Sequence, residues 1–407
     1  MQCHWELLSP EEEDLIARGI MEGGVHGGPY HITLSPTDLC NFDCFFCTAR
    51  GDGTMELPWE LLRGVLESGV EMGLKSINLT GGGEPLLHRD FGALMDLLEE
   101  LGIRVYALVT NGTALTPALA ERFAGRGIRW ITVSFNETTP ETHTEMNRSS
   151  PRLFARATEG IRNAVHALRS TEGQVRIQVF IWKHNFRRLL SLIEDALALG
   201  PDTVLVNSLY HWPGEVRLDD SERRELRPLI SEAVSRWAPR LEFRLSDEGL
   251  QEFAAEELHR HCPQAFEQMD ITRTDRRVEY CCIPWYAPMI TANGNVHPCC
   301  NMIGEGSPVL GNLHDQTLRE IWLGERCQDF RETWRQMLLA EGNPRLMDPR
   351  RVRCLSPLCF SRSACQLNYY LAPSRFYRRI DAWAESGPRQ AHRRRRRWSL
   401  GRFTRRG

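Results

Sequence analysis

From His31 onward, short β-branched runs alternate with longer stretches whose apolar residues recur at helical spacing. This is the pattern of successive β-α units feeding a parallel sheet. Strands are expected near residues 31–35, 76–80, 105–110, 130–135, 175–181 and 203–207. Between them Leu62, Val65, Leu66 and Val70 share one helical face, as do Phe91, Leu94, Met95 and Leu98. Ile161, Ala164, Val165 and Leu168 form another, and Phe186, Leu189, Leu190, Ile193 and Leu197 the next. Six units fall two short of a closed eight-stranded barrel. Ahead of them, Ser9-Pro10-Glu11-Glu12 reads as the cap and first turn of a leader helix stopped at Gly23-Gly24. Behind them, residues 214–280 read as a helical connector with one more candidate strand, Leu241–Leu245. Asn293-Gly294 between two alternating runs then signals a hairpin with a type I′ turn, which folds Cys299 back towards Cys282.

A chain of 407 residues, 42% hydrophobic and 25% charged, can bury one large core and support a smaller second domain. No apolar run is long enough to span a bilayer, and the first 25 residues carry Glu11-Glu12-Glu13-Asp14 in place of a secretory signal. A cytoplasmic protein is expected, and in that compartment 13 cysteines point to metal binding before disulfides. They cluster as Cys40, Cys44 and Cys47, then Cys281, Cys282, Cys299 and Cys300, then Cys354, Cys359 and Cys365; Cys3, Cys262 and Cys327 stand apart. The net charge of −3 conceals an asymmetry, because nine arginines and no acid from Pro388 to Gly407 leave the rest of the chain at −12. Such a tail is either a solvated end or a contact for nucleic acid or another polyanion.

Cys40-x3-Cys44-x2-Cys47 places three thiolates in one short loop, enough to hold three corners of an iron–sulfur cluster and leave the fourth iron open. The competing reading is a structural zinc site, which usually needs a second Cys or His pair close by. Other polar residues fall at the carboxyl ends of strands, where parallel barrels keep their reactive groups. Strand two runs into Gly81-Gly82-Gly83-Glu84-Pro85, which is either a glycine turn with a capping glutamate or a ligand cradle. Strand three ends at Thr110-Asn111-Gly112, first of all a turn. Strand four ends with Ser134 and Asn136, suited to a polar ligand or to helix capping. On strand five Gln178 faces away from Ile177 and Val179, towards either the barrel interior or a backbone group. Tyr210, His211 and Trp212 follow strand six, as pocket wall or cover.

Taken together, the three cysteines with Phe46 before the last of them, and Gly-Gly-Glu-Pro one unit later, resemble the radical S-adenosylmethionine (radical SAM) superfamily. The resemblance implies a partial (β/α)6 barrel and a [4Fe-4S] cluster on Cys40, Cys44 and Cys47. It also implies S-adenosylmethionine chelated to the open iron and held by Gly82, Gly83 and Glu84, with Ser134, Asn136 and Gln178 as further cofactor contacts. Reductive cleavage would then give methionine and a 5′-deoxyadenosyl radical that removes hydrogen from substrate, the protein aiming what the cofactor supplies. An external donor such as a flavodoxin or ferredoxin would provide the electron.

Cys282-Ile283-Pro284-Trp285, Gly294-x4-Cys299, Gly311-Asn312-Leu313 and Glu320-Ile321-Trp322 resemble the SPASM or twitch extension of that superfamily, which carries auxiliary clusters. One auxiliary [4Fe-4S] cluster on Cys282, Cys299, Cys354 and Cys359 is expected, with Cys365 and Cys300 as alternates; zinc suits four thiolates as well. The wide Cys354-x4-Cys359 spacing and the absence of a cysteine after Cys365 depart from the seven-cysteine form.

The expected organisation is a leader helix at 1–29, the barrel at 30–213, a connector at 214–280, the auxiliary-cluster domain at 281–370, and a final helix with basic tail at 371–407. Members resembling this chain often modify peptides by crosslinking, epimerisation or oxidation, so a peptide in natural-product maturation is the expected substrate. Nothing in residues 1–29 resembles a separate peptide-binding module, which keeps a small-molecule dehydrogenase or epimerase acting on an aminoglycoside or sugar in view. A metal-stabilised, non-catalytic nucleic-acid binder is the reading from another class. Cys262 is the one candidate hydrogen donor to a substrate radical, though a lone cysteine usually just packs.

Overall fold

A computed structural model of the chain describes residues 4–47, 51, 53–208, 216–263, 281–300, 302–303, 307–340, 347 and 374–389. The leader forms α1 (Pro10–Glu22), opened by a reciprocal Ser9–Glu12 capping box with Pro10 in the first turn and closed by Gly23 at φ 83°. The barrel strands follow: β1 (His31–Leu34), β2 (Ser76–Leu79), β3 (Arg104–Thr110), β4 (Trp130–Asn136), β5 (Gln174–Phe180) and β6 (Thr203–Asn207). Between and after them run α2 (Trp59–Met72), α3 (Phe91–Glu100), α4 (Pro117–Gly125), α5 (Pro140–Asn147), α6 (Pro151–Leu168), α7 (Leu189–Ala198), α8 (Asp220–Trp237) and α9 (Glu248–His261).

Each helix buries the stripe that its periodicity marks. Leu62, Val65 and Leu66 of α2, Leu94, Met95 and Leu98 of α3, and Ile161, Ala164 and Leu168 of α6 are all buried. Burying one such leucine contributes about 2 kcal/mol. Val70, near the end of α2, stays exposed.

The sheet is longer than six strands. β7 (Leu241–Arg244) adds to β6 in parallel, with Val204 opposite Leu241, so the candidate strand of the connector belongs to the barrel wall. On the other edge β8 (Met289–Ile290) pairs in parallel with β1, and β9 (Asn295–His297) and β10 (Gly311–Asn312) continue antiparallel. The order is β10-β9-β8-β1-β2-β3-β4-β5-β6-β7, one open ten-stranded sheet. The hairpin forms at Asn293-Gly294, but not as a type I′ turn. Only Gly294 has positive φ, at 79°. Gly294 N–H donates to the Thr291 carbonyl at 2.8 Å and Thr291 N–H to the Asn295 carbonyl at 3.0 Å, so the loop has three residues with the left-handed one last. The Asn293 side chain sits inside it, accepting from Asn295 N–H.

Of three later helices, α10 (Leu318–Leu323) packs on α2, while α11 (Glu325–Leu339) and α12 (Ser374–Glu385) return to the N-terminal helix. Arg335 of α11 donates to the carbonyls of Ile20 and Met21 at the open end of α1, and Trp5 stacks edge-on against both Tyr286 and Phe376. The leader is thus packed into the C-terminal layer. No helix among the described residues is long and apolar enough to cross a membrane.

Candidate active site

The cysteine loop springs from the carboxyl end of β1. Its root is fixed by Thr37, whose hydroxyl donates to the Met55 carbonyl and accepts Leu39 N–H at 3.0 Å. Within it Phe42 N–H points at Cys40 Sγ (3.5 Å) and Cys47 N–H bonds the Cys44 carbonyl (3.1 Å). Two aromatics pin the far side: Phe45 lies 5.2 Å from the ring of Trp182, and Phe46 lies 4.9 Å from that of Phe180 at the end of β5. Burial, and then the neighbouring Cys47 and Cys40, push the Cys44 thiol up to about 12. The Cys44 thiol therefore resists ionising unless a cationic centre takes it. Among the described residues no three His, Cys, Asp or Glu donors close on one point as around a single metal ion. A cubane instead asks for one thiolate per iron, spread across its face.

The glycine-rich turn is pressed against this root. Gly82 N–H donates to Ser35 Oγ, Gly83 N–H to the Thr37 carbonyl and Glu84 N–H to the Leu39 carbonyl at 2.7 Å. A side chain does not fit there: a Cβ on Gly81, where φ is 153°, would overlap Ser35 Oγ, and one on Gly83 would overlap the Leu39 carbonyl. The Glu84 carboxylate is buried and turned to β3, accepting from Thr110 Oγ1 (2.7 Å), Asn111 N–H (2.6 Å) and Leu86 N–H (3.2 Å). Burial pushes its pKa up to about 7 against the pull of those three donors. Glu84 is thus a strut between the second and third turns, and it caps the short helix Pro85–Leu87. Asn111, reading on sequence as a turn residue, also carries the chain of contacts onward. Its side chain donates to Asn41 (2.7 Å) and lies 3.9 Å from Cys40 Sγ, and Asn41 donates to Thr113 (2.9 Å).

Along the strands, one inward position after another is left less covered than its neighbours. Thr33, Ser134 and Gln178 are half-buried and Val109 is 36% exposed, although the residues beside them are buried. Ser134 stands opposite Gln178 in the β4–β5 register, and Asn207 Nδ2 reaches Gln178 Oε1 at 3.3 Å, so the Gln178 side chain meets a side chain of β6 and not a backbone group. Asn78, Asn136 and Asn207 are buried, each with an amide oxygen that no group among the described residues satisfies. Deeper in, Arg176 lies 4.4 Å over the Trp130 ring and pairs with Glu242 at 2.6 Å, closing the floor. Above that floor the inward positions of β1, β3, β4 and β5 are thus left partly uncovered, with polar side chains at Thr33, Ser134 and Gln178. Amide groups, which both donate and accept, suit a ligand that offers ammonium, carboxylate, hydroxyl and purine edges at once.

In the second territory the turn Ile283–Trp285 follows Cys282, which is buried, and is sewn to β1: the Tyr286 carbonyl accepts from Tyr30 and His31 N–H, and Ser35 N–H donates to the Ile290 carbonyl at 2.8 Å. Trp285 and Trp322 each donate an indole N–H to the carbonyls of Gly24 and Gly27. Cys299 follows β9, half-buried, with Cys300 beside it. Cys354, Cys359, Cys365, Tyr210, His211, Trp212 and the arginine tail beyond Arg389 lie outside the described residues. Cys262 caps α9 and packs on the core, and no hydrogen bond or ring contact among the described residues joins it to the cysteine loop.

The profile described as Radical SAM superfamily matches residues 34–174, from the last residue of β1 to the first of β5. A second profile, SPASM, an iron-sulfur cluster-binding domain, matches residues 281–346. The chain belongs to the radical SAM superfamily. This radical SAM enzyme takes a [4Fe-4S] cluster and S-adenosylmethionine, and its SPASM domain takes auxiliary iron–sulfur clusters. The AdoMet-dependent heme synthase of Methanosarcina barkeri is 25% identical over 347 residues, 83% of this chain and 90% of that protein. A probable GTP 3′,8-cyclase of Sulfurisphaera tokodaii is 28% identical over 216 residues, 52% of this chain and 66% of the other. Among solved structures, Streptococcus suis SuiB bound to S-adenosylmethionine aligns with a TM-score of 0.54 at 17% identity, covering 77% of this chain and 69% of SuiB. The enzyme anSMEcpe with bound AdoMet aligns at 0.56 and 15% identity, covering 89% and 98%. At such identities the likeness is one of fold.

Proposed function

We propose that Cys40, Cys44 and Cys47 hold the cluster that binds S-adenosylmethionine, and that the partly uncovered inward face above the Trp130–Arg176–Glu242 floor receives the cofactor's adenosyl and methionyl ends. The observation that carries this reading is the placement of the three thiols, the pressed glycine turn and three amide oxygens unsatisfied among the described residues towards the carboxyl ends of the strands. When bound, the cluster and S-adenosylmethionine supply reductive cleavage of the sulfonium and the hydrogen abstraction that follows. The chain's own part is orientation. Glu84 locks the turns after β2 and β3 together, the glycines bring backbone against the cysteine loop, and Phe45, Phe46 and Trp182 shield its flank. Ser134, Gln178, Asn136, Asn78 and Asn207 offer donors and acceptors to the polar ends of the ligand. At the auxiliary site Cys282 and Cys299, with Cys354 and Cys359, supply thiolates.

The substrate we infer is a peptide whose side chain is crosslinked, epimerised or oxidised. In support, solved forms of SuiB carry the precursor peptide SuiA and solved forms of anSMEcpe carry peptides, on the fold shared here. A cavity of about 210 Å³ beside Trp182, lined by Ser208, Arg223, Ser246 and Asp247 among leucines, offers the mixed polar and apolar wall that a peptide side chain needs. The near full-length match to a heme synthase favours a second reading, a heme precursor as substrate. Anaerobic reconstitution with iron and sulfide, followed by dithionite, is expected to yield 5′-deoxyadenosine, and Cys44→Ala to abolish it. Full cleavage by that variant overturns the ligand assignment. Deuterium passing into 5′-deoxyadenosine from a labelled peptide, and not from a porphyrin or an aminoglycoside, decides between substrates.

A further inference from the structure

Beneath the cysteine loop Asn136, one of the amides offered to the cofactor above, is paired with a second amide, Asn147, to which that reading gives no role. Asn147, the last residue of α5, is fully buried. Its Oδ1 accepts twice, from Asn136 Nδ2 at 2.6 Å and from Cys44 Sγ–H at 3.1 Å. Its own Nδ2, with two hydrogens to give, has no partner among the described residues, and neither has Asn136 Oδ1. Both residues are held firmly. Asn147's carbonyl accepts Asp43 N–H at 3.0 Å, Arg148 turns the chain at φ 42°, and Asn136 sits at φ 69° where the β4–β5 register shifts. A non-glycine residue held at positive φ signals that its placement is over-determined by its surroundings. Leaving a buried amide NH2 group idle is unfavourable, so the arrangement suits one state of Cys44 and not the other.

A free thiol donates; a ligating thiolate only accepts. Once Cys44 binds iron, Asn147 Oδ1 faces a sulfur that has nothing to give it. Exchanging oxygen and nitrogen in both amides, a half-turn about each terminal bond, repairs this. Asn147 Nδ2 then donates one hydrogen to Cys44 sulfur and the other to Asn136 Oδ1. Asn136 Nδ2 takes the place its oxygen now holds, as a donor free to meet an acceptor on a ligand. No covalent bond changes beyond loss of the thiol proton to solvent on ligation.

We propose, on the reading that Cys40, Cys44 and Cys47 hold the cluster, that Asn147 is a positioning residue that donates a hydrogen bond to the Cys44 thiolate. Through Asn136 it couples the charge on that sulfur to the donor offered to the cofactor. Hydrogen bonds to cluster sulfurs withdraw electron density and raise the reduction potential. Loss of a donor worth about 1.4 kcal/mol of preference for the reduced state changes the reduced-to-oxidised ratio roughly tenfold.

The test is an EPR-monitored redox titration of the full reconstituted chain, following the signal that S-adenosylmethionine perturbs. Asn147→Asp is isosteric and cannot donate when ionised; Asn147→Leu removes the donor without adding charge. Both are expected to lower the midpoint of that signal, so that at the potential where the unsubstituted chain is half reduced they are reduced to about a tenth. The auxiliary-cluster signal is expected to stay where it was. A variant with full iron content whose signal titrates with the unsubstituted chain overturns the proposal. A folded Asn147→Asp chain that no longer takes up iron supports it, because the carboxylate repels the thiolate where the amide would donate. Absence of any signal sensitive to S-adenosylmethionine in the unsubstituted chain removes the cluster reading and this proposal with it, whereas a sensitive but unmoved signal removes this proposal alone.

Discussion

Replacing Gly83 with alanine tests whether the cysteine loop is held in place from below. The added Cβ would lie 2.5 Å from the carbonyl carbon of Asp38 and 2.8 Å from its Cα, and would overlap the Leu39 carbonyl, all of it backbone that cannot rotate away. Non-bonded contacts of a Cβ stay beyond 3.0 Å, so the Asp38–Leu39 segment must retreat by at least about 0.5 Å, the whole tolerance of a preorganised site. Cys40 is the next residue, and its sulfur moves with that segment. A displacement approaching 1 Å costs about a hundredfold in rate, so Gly83→Ala is expected to cut formation of 5′-deoxyadenosine by that order and to lower iron bound per chain. Gly64→Ala is the matched control. Gly64 lies on the exposed side of α2, a Cβ there meets nothing within 4 Å, and the helix gains about 0.5–1 kcal/mol. Parallel measurement of iron, 5′-deoxyadenosine and thermal midpoint gives the answer. If Gly83→Ala keeps the iron content and rate of Gly64→Ala, the loop is not positioned by this contact and the reasoning fails.

Two further outcomes follow from buried groups other than the cysteines. His143 is enclosed by Phe42, Phe135 and Phe154 with both ring nitrogens unpartnered among the described residues, and burial holds its pKa down to about 4. The neutral ring is favoured in the fold, so its contribution is complete above pH 6.5 and is lost as pH falls from there through 4, by about 3 kcal/mol in all. His143→Phe should remove that acid slope from urea melts, and an unchanged slope counts against the assignment. Arg331 is fully buried with no ion pair to a carboxylate among the described residues; it donates to the carbonyls of Pro284 (2.9 Å) and Trp322 (2.8 Å) and lies 4.2 Å over the Trp322 ring. Lysine keeps the buried charge but not the fork, so Arg331→Lys should melt below Arg331→Met, with each lost charge-assisted bond worth about 1.5–3 kcal/mol. A lysine variant as stable as the parent refutes this.

The features legible in the sequence are those with local causes. The α1 boundaries follow from Ser9, Pro10, Glu12 and Gly23, which act within one turn of themselves, and the barrel strands follow from β-branched runs closed by turns. The glycine turn was readable as a type but not as a shape, since only the fold brings Ser35 and Leu39 against it. β7 showed as a candidate strand, but its pairing with β6 bridges residues 208–240, a stretch containing α8 that carries no register signal of its own. The turn type at Asn293-Gly294 departed from expectation because the Asn293 side chain satisfies the loop from within, which frees its backbone from positive φ. Asn147 was invisible. A helix-terminal asparagine has no spacing to betray it, and only the contact with Cys44, 103 residues away in sequence, gives it chemical meaning.

β1 is four residues long and is gripped on both flanks, by β2 on the side of the glycine turn and by β8 on the side of the hairpin. It is the keystone of an arch whose two halves are the parallel barrel strands and the SPASM region. Its period of two allows no compromise in that seat, because a slip by one residue would send Ile32 and Leu34 to the inward face and Thr33 into the helix layer. A tug on the hairpin, by a docking partner or by a change at the auxiliary cluster, therefore cannot be absorbed by a flexible joint at this point. It passes through Met289 and Ile290 to Thr33 and Leu34, and arrives within a few residues at the sulfur of Cys40.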